Sequence, residues 1–390
     1  MTKQSTRTFT VGLAAAALMA PVAVGAATSA TAAPAGGAAQ AAQNAQSAQA
    51  AQPQSSLAAR RTAPKAPKYQ YVDITPRGLA ANVSTTAAYD VSERGEVAGY
   101  VNNGEASPRT FVGGVGRSRW LPAVETKGVN AHAMTIGPSG TVAGQFGGVS
   151  SDIVTWAGGK PRVLAGDPSA YFGPSVQAVN ASGAIAGVGT SYRLSSGFLL
   201  WSARGAMTRV QADIAANYGV AGLSDGGVLA GTLYAPNQQT SLPYPRAVVV
   251  RGGKVSYLAG VNGTDGTGAA DSQSPNGRYI VGRVGVAAYG GGGSPVWLSP
   301  TAKPQPLKGA EGFRPVDVNN KGVVAGYKGE DSEKSVFVWS GGRLHAVTSA
   351  NRLPRGWRIS DVTGINDRGD LAVTLRNDAG TTRAAKLAAR

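Results

Sequence analysis

A glycine recurs at Gly95, Gly140, Gly183, Gly227, Gly277, Gly322 and Gly369, at spacings of 45, 43, 44, 50, 45 and 47 residues. Each closes a copy of one phrase, clearest at Val316-Asp317-Val318-Asn319-Asn320-Lys321-Gly322-Val323-Val324-Ala325-Gly326 and repeated at 178–187 and 90–99. Self-similarity at this period constrains the fold more than any other feature, because a unit that cannot bury its apolar face alone must stack on its neighbours. The phrase has a mechanical meaning. Apolar residues alternate up to Asn319, whose side chain can start a turn by bonding nearby backbone. The glycine fits the left-handed position of a short hairpin loop with a bulge, and an apolar run then returns. A second glycine, at Gly99, Gly144, Gly187, Gly231, Gly282 and Gly326, marks close backbone approach inside a sheet.

A second phrase follows each hairpin. It reads Val336-Phe337-Val338-Trp339-Ser340-Gly341-Gly342-Arg343-Leu344, with counterparts at 153–159, 198–201 and 247–253 and weaker copies at 295–297 and 110–112. A strand, a glycine turn and another strand fit this pattern. Four strands per copy at a period near 45 residues predict an all-β fold, a seven-bladed β-propeller of four-stranded antiparallel blades.

The seventh copy is truncated, which predicts how the ring closes. Its third strand falls near Lys386, four residues from the end, so it has no fourth. Tyr71-Val72-Asp73-Ile74-Thr75 precedes the first hairpin without a partner and matches the fourth strand Leu344-His345-Ala346-Val347-Thr348. The N-terminal strand is therefore expected to complete the last blade and remove an exposed edge. An open solenoid would need polar caps, and none is visible.

Together the two phrases resemble the extracellular HAF-type repeat over most of residues 71–387. That pattern is Asn-x-x-Gly-x-Val-x-Gly followed by aromatic-x-Trp-x-x-Gly. The chain departs from it in lacking the histidine before the tryptophan; Val336-Phe337-Val338-Trp339 is its nearest copy. The resemblance implies an exported, propeller-like protein and brings no reaction with it.

The N-terminus reads as an address. Lys3 and Arg7 precede an Ala-rich apolar run from Phe9 to Ala27, and Ala30-Thr31-Ala32 fits signal-peptidase cleavage near Ala32. The run is too weakly apolar for a membrane anchor of about 20 residues. Residues 1–32 are thus expected to be a secretory signal, 33–68 an Ala/Gln/Pro-rich disordered linker, and 69–390 the propeller. The C-terminus carries no apolar tail, so the expectation is a released, monomeric extracellular protein without an integral membrane segment. Cysteine is absent, which excludes disulfides and thiol chemistry. The net charge is +16, and from Tyr69 onward 31 basic residues face 21 acids. That excess favours anionic partners such as an acidic polysaccharide or cell-wall polymer, without specific nucleic-acid recognition; the plain alternative is a basic, soluble surface.

A search for chemistry assigns no catalytic residue, cofactor or metal. His132 and His345 fall in different blades at non-equivalent positions, which motivates neither a metal site nor a triad. Asp317-x-Asn319-x-Lys321-Gly322 begins like a calcium loop but places lysines at Lys321 and Lys328 where ligands belong. The loop from Asp265 to Asp271 is a slightly better cation candidate. Ser150-Ser151-Asp152 to Trp156 resembles an incomplete Asp-box of exported sialidases. Arg368-Gly369-Asp370 spells an adhesion tripeptide on a hairpin turn whose geometry already requires Gly369. Trp156, Trp201, Trp297 and Trp339 occupy equivalent strand positions and suit core packing between blades better than sugar stacking. The function expected is a secreted binding or scaffold propeller for an unidentified extracellular ligand, a glycan, wall polymer or protein, held at variable loops such as 232–246 and 283–294. A polymer-degrading hydrolase such as a glycosidase is the alternative. Its acid pair cannot be assigned from sequence.

Overall fold

The structure is a computed structural model. It describes residues 67–390 apart from 77–78, 80–84, 103–108, 127–128, 147–151, 167–171, 191–196, 213–216, 237–242, 260–266, 286–291, 330–333 and 348–352. The expected signal segment and all but the last two linker residues lie outside the described residues.

Every described element is a strand. Blade 1 comprises Thr85–Val91, Val97–Asn102, Arg109–Gly114 and Arg117–Trp120; blade 2, Val129–Ile136, Val142–Phe146, Ile153–Ala157 and Lys160–Leu164. Blade 3 comprises Phe172–Val179, Ile185–Thr190, Gly197–Trp201 and Met207–Val210; blade 4, Asn217–Leu223, Leu229–Pro236, Pro243–Arg251 and Lys254–Tyr257. Blade 5 comprises Gly268–Gln273, Ile280–Val284, Ser294–Leu298 and Gln305–Pro306; blade 6, Arg314–Val318, Val324–Lys328, Ser335–Ser340 and Arg343–Ala346. Blade 7 takes Trp357–Ile365, Leu371–Asn377 and Thr382–Ala389 from the C-terminus and Tyr69–Asp73 from the N-terminus. Within each blade the strands pair antiparallel in chain order. The protein is a β-propeller, closed by its two ends.

The closing strand runs antiparallel to the last strand, from Tyr69 opposite Ala389 to Asp73 opposite Ala385. It sits two residues earlier than the 71–75 pattern. Asp73 ends it by accepting the Thr75 amide at 2.9 Å. Ile74 then leaves the sheet and is fully buried between blades 7 and 1.

The buried side chains fall into seven clusters, and each is shared by neighbouring blades. Alternation along the strands produces this arrangement. In blade 3, Ile185 packs toward blade 2 and the next residue, Ala186, toward blade 4. Both faces of a blade are therefore apolar, as in any sheet covered on both sides. The seventh cluster joins Ala372 and Ala384 of blade 7 to Val97 and Phe111 of blade 1, which completes the circle.

The repeat residues do the work that their types allow. The seven turn glycines all adopt positive φ, between 70° and 88°. At the second glycine position, a Cβ on Gly187 would lie 2.5 Å from the Ser175 carbonyl oxygen of the paired inner strand. The turn-starting asparagines link blades. Asn366 Oδ1 accepts the Arg368 and Asp370 amides of its own turn, while Nδ2 donates to the Ser92 carbonyl of blade 1. Asn180 and Asn319 bridge likewise to Ser224 and to Asn366. The tryptophans are also blade-to-blade elements. Trp156, Trp201 and Trp339 are buried, and each indole N–H donates to a carbonyl of the chain entering its blade: Pro122, Ala165 and Lys308.

Candidate functional site

Each inner strand carries a β-bulge three residues before its turn, with register shifts such as Ala88/Asp90, Ala270/Ser272 and Pro315/Asp317. A bulge re-aims the residues around it. Here it turns Tyr89, Gln177, Asp271 and Thr363, among others, toward the axis of the ring, where inner strands of all seven blades line a cavity of about 240 Å³.

Acids mark the end of this channel nearest the hairpin turns. Asp90 and Asp317 occupy the same bulge position of blades 1 and 6, where the other blades carry Thr135, Ala178, Gly222, Ser272 and Gly364. Blade 7 lies between the two acids. Its Gly364 leaves the space that Asp90 fills, since a Cβ there would collide with Asp90 Oδ1. Asp90 Oδ1 accepts the Val91 amide at 2.7 Å, and Oδ2 accepts the Thr135 hydroxyl at 3.2 Å. Asp317 Oδ1 accepts the Ser272 hydroxyl at 2.7 Å and the Val318 amide at 2.8 Å, and Oδ2 accepts the Ile365 amide at 2.7 Å. Among the described residues neither forms an ion pair. Burial pushes the Asp317 carboxyl up to about 6 against the pull of these hydrogen bonds. Burial, and then the charge of Asp317, raises Asp90 well above the usual range. Burial thus pushes both carboxyls of the pair in the same direction, toward the protonated form, within a single cavity. Glu93, in the blade 1 turn, is also raised, chiefly by burial.

Basic and aromatic side chains gather around Asp271 and near the starts of the inner strands of blades 4 to 6. Asp271 is clamped by Arg283, with Nε to Oδ2 at 2.8 Å and Nη2 to Oδ1 at 2.7 Å, and Arg283 also donates to the Gly292 carbonyl. Arg314 opens the inner strand of blade 6 and faces Tyr327 across the register. Its guanidinium carbon lies 5.7 Å from the Tyr327 ring centroid, and Lys334 Nζ lies 4.7 Å from the same ring. Tyr234 of blade 4 lies in the field of Arg283, Asp271 and Arg314, although burial is the main cause of its raised hydroxyl.

The residues singled out in the sequence are thus dispersed. Burial lowers His132, and His345 has a buried Nε2 without a hydrogen-bond partner; they remain in different blades. Asn319 caps its own turn and bridges to blade 7, so the calcium-like stretch is a hairpin, and its Asp317 belongs to the channel. Asp271 is engaged by Arg283, while Asp265 lies outside the described residues. Among the described residues no three acids or histidines converge as a metal set. In the adhesion-like tripeptide, Asp370 is buried against Lys386 and Arg368. Asp152 accepts the Gly166 amide, and Ser150 and Ser151 are outside the described residues. The variable loops 232–246 and 283–294 are described only at their flanks.

No protein-family model and no curated protein matches the sequence. Solved structures do match in shape. The acylaminoacyl peptidase of Pyrococcus horikoshii aligns with a TM-score of 0.53 at 10% identity, over 79% of this chain and 51% of that one. The chain spans about half the length of that peptidase, and the likeness bears on fold alone. A chain of the mitotic checkpoint complex aligns at a TM-score of 0.49 and 11% identity, over 85% of this chain and 98% of that one. A gluconolactonase of Xanthomonas campestris aligns at 0.41 and 14%, over 85% and 99%.

Proposed function

We propose that the protein is an exported binding propeller of the HAF-repeat type that holds an anionic extracellular polymer, an acidic glycan or a wall polymer. Its cations carry this reading. Arg109 lies 4.2 Å over Trp120, Arg246 4.7 Å over Tyr244 and Arg278 5.4 Å over Tyr279, in addition to Arg314 and Lys334 on Tyr327. Among the described residues none of these five is in a direct ion pair with an acid. A cation resting on a ring keeps its charge and loses mobility. Such groups suit repeated anionic groups on a polymer. The signal-like N-terminus and the released, monomeric state belong to the same proposal.

An array of acidic, neutral and phosphate-bearing polymers tests it. The expected result is saturable binding to an acidic polymer that survives about 0.2 M salt, where exposed charge alone is largely screened. Equal binding to every polyanion, lost at that salt, would reduce the reading to net charge.

A second reading rests on Asp90 and Asp317. Two buried acids in one cavity, both raised by burial, are the kind of equipment a glycosidase uses. Turnover of a polysaccharide that is abolished in Asp317→Asn would move the assignment to hydrolase. Binding without turnover, unchanged in that variant, would remove it.

A further inference from the structure

A basic mouth, set by residues near the starts of the inner strands of blades 4 to 6, combines cations with tyrosines. Arg314, Tyr327 and Lys334 lie at the end of blade 6 where its second strand leaves for its third. Tyr234 and Arg283 occupy the corresponding ends of blades 4 and 5, opposite the starts of their inner strands. These groups feel one another. The Arg283 guanidinium lies in the field of both tyrosine hydroxyls, and Arg314 acts on Asp271 and Tyr234. Lys334 in turn acts on Asp361 of blade 7.

The charges do not cancel. Arg283 is matched by Asp271. Lys334 acts on Asp361, whose carboxyl accepts the Val362 amide and, among the described residues, forms no ion pair, while Arg314 acts on the already clamped Asp271. The mouth therefore carries an excess of one positive charge. A singly charged group, a carboxylate or a phosphodiester, fits that excess better than a dianionic phosphomonoester. Guanidinium meets carboxylate in a planar fork, and the ammonium adds a point charge beside it. The Tyr234 and Tyr327 hydroxyls and the Asp361 carboxylate supply the mixed donors and acceptors that sugar hydroxyls need.

We infer that Arg314, Lys334, Tyr327 and Tyr234 form a recognition site for a uronate residue, binding its carboxylate through the two cations and its hydroxyls through the aromatic ones. The inference deepens the anionic-polymer reading and rests on it.

Calorimetric titration of the full chain with a galacturonate trimer, a neutral glucose trimer and a glycerol-phosphate trimer at 0.15 M salt tests the site. The expected result is binding of the uronate alone. Arg314→Gln and Lys334→Gln should each weaken it about tenfold or more, the scale of a lost charge-assisted hydrogen bond. Arg314→Lys should fall between, keeping the charge without the fork. Arg251→Gln, an exposed cation elsewhere on blade 4, should bind as wild type. Circular dichroism and thermal unfolding of each variant confirm the fold. Uronate binding that both variants leave within about twofold overturns the site and spares the polymer reading. A stronger response to glycerol phosphate overturns the ligand class. Failure of the wild-type chain to bind any acidic oligomer or polymer removes the polymer reading itself.

Discussion

Replacing Lys386 by methionine removes one partner of a buried ion pair at the seam of the ring. Lys386 is only 4% exposed and lies on the last strand. Its ammonium sits 2.9 Å from Asp370 Oδ2 and 3.0 Å from the Gly95 carbonyl of blade 1. Asp370 also accepts the Ala389 amide at 3.0 Å, and the half-exposed Arg368 lies 3.0 Å from Oδ2. The pair thus joins the last strand, the blade 7 turn and the blade 1 turn. Breaking a buried pair from one side costs about 3–5 kcal/mol, because the other charge stays buried. Arg368 remains to shield Asp370, which places Lys386→Met near the lower bound, about 3 kcal/mol. Burial raises the Asp370 carboxyl, but Lys386, the Ala389 amide and Arg368 together draw it below its usual value. A carboxyl lowered by folding adds stability above its unfolded pKa and loses it as pH falls through the folded one. The deficit of the variant should therefore be full at pH 7 and shrink on acidification. Adding Asp370→Asn keeps an acceptor for Ala389, removes the buried charge, and should recover most of the loss. Urea denaturation at pH 7 and pH 4 measures all three proteins. A loss under about 1 kcal/mol, a loss independent of pH, or no rescue by the amide would refute the reasoning.

Asn366→Ala removes two turn bonds and the bridge to Ser92, and should cost about 2–3 kcal/mol in denaturant unfolding. A cost like that of an exposed turn residue would show the bridge to be idle. Trp201→Phe leaves the Ala165 carbonyl without its indole donor and opens a small void, worth about 2 kcal/mol by the same assay. The raised Asp317 has the opposite sign from Asp370. Stability should fall as pH rises from about 4 through about 6, because the unfolded carboxyl ionises first, and Asp317→Asn should flatten that slope. A carbon-detected carboxyl titration of Asp317 with a midpoint near 4 would contradict the assigned environment.

The sequence carried the scaffold because the scaffold is periodic. A left-handed glycine, a turn-starting asparagine and a buried tryptophan recur for mechanical reasons, and repetition makes each visible. The channel was harder to read because its distinctive chemistry lies in departures from the repeat. Asp90 and Asp317 stand in the hairpin phrase itself, where they pass for ordinary strand-end polar residues. Aligning the seven copies at the bulge shows acids in only two of them, and that contrast was the available signal. Their approach across Gly364 depends on blade 7, which is completed only when the termini meet. The basic mouth was hidden for a similar reason. Arg314 and Tyr327 are 13 residues apart and meet only through strand register, while Tyr234 arrives from two blades away.

Ring closure is the premise of the channel, and the absence of native cysteine makes it directly measurable. Gln70 and Ala388 are opposite one another in the closing pair, within the backbone separation a disulfide accepts. A chain carrying Gln70→Cys and Ala388→Cys should oxidise to a monomeric covalent circle with altered gel mobility, reversed by reductant. Cysteines that stay reduced in the folded protein, or that link only one molecule to another, would show that the ends do not meet.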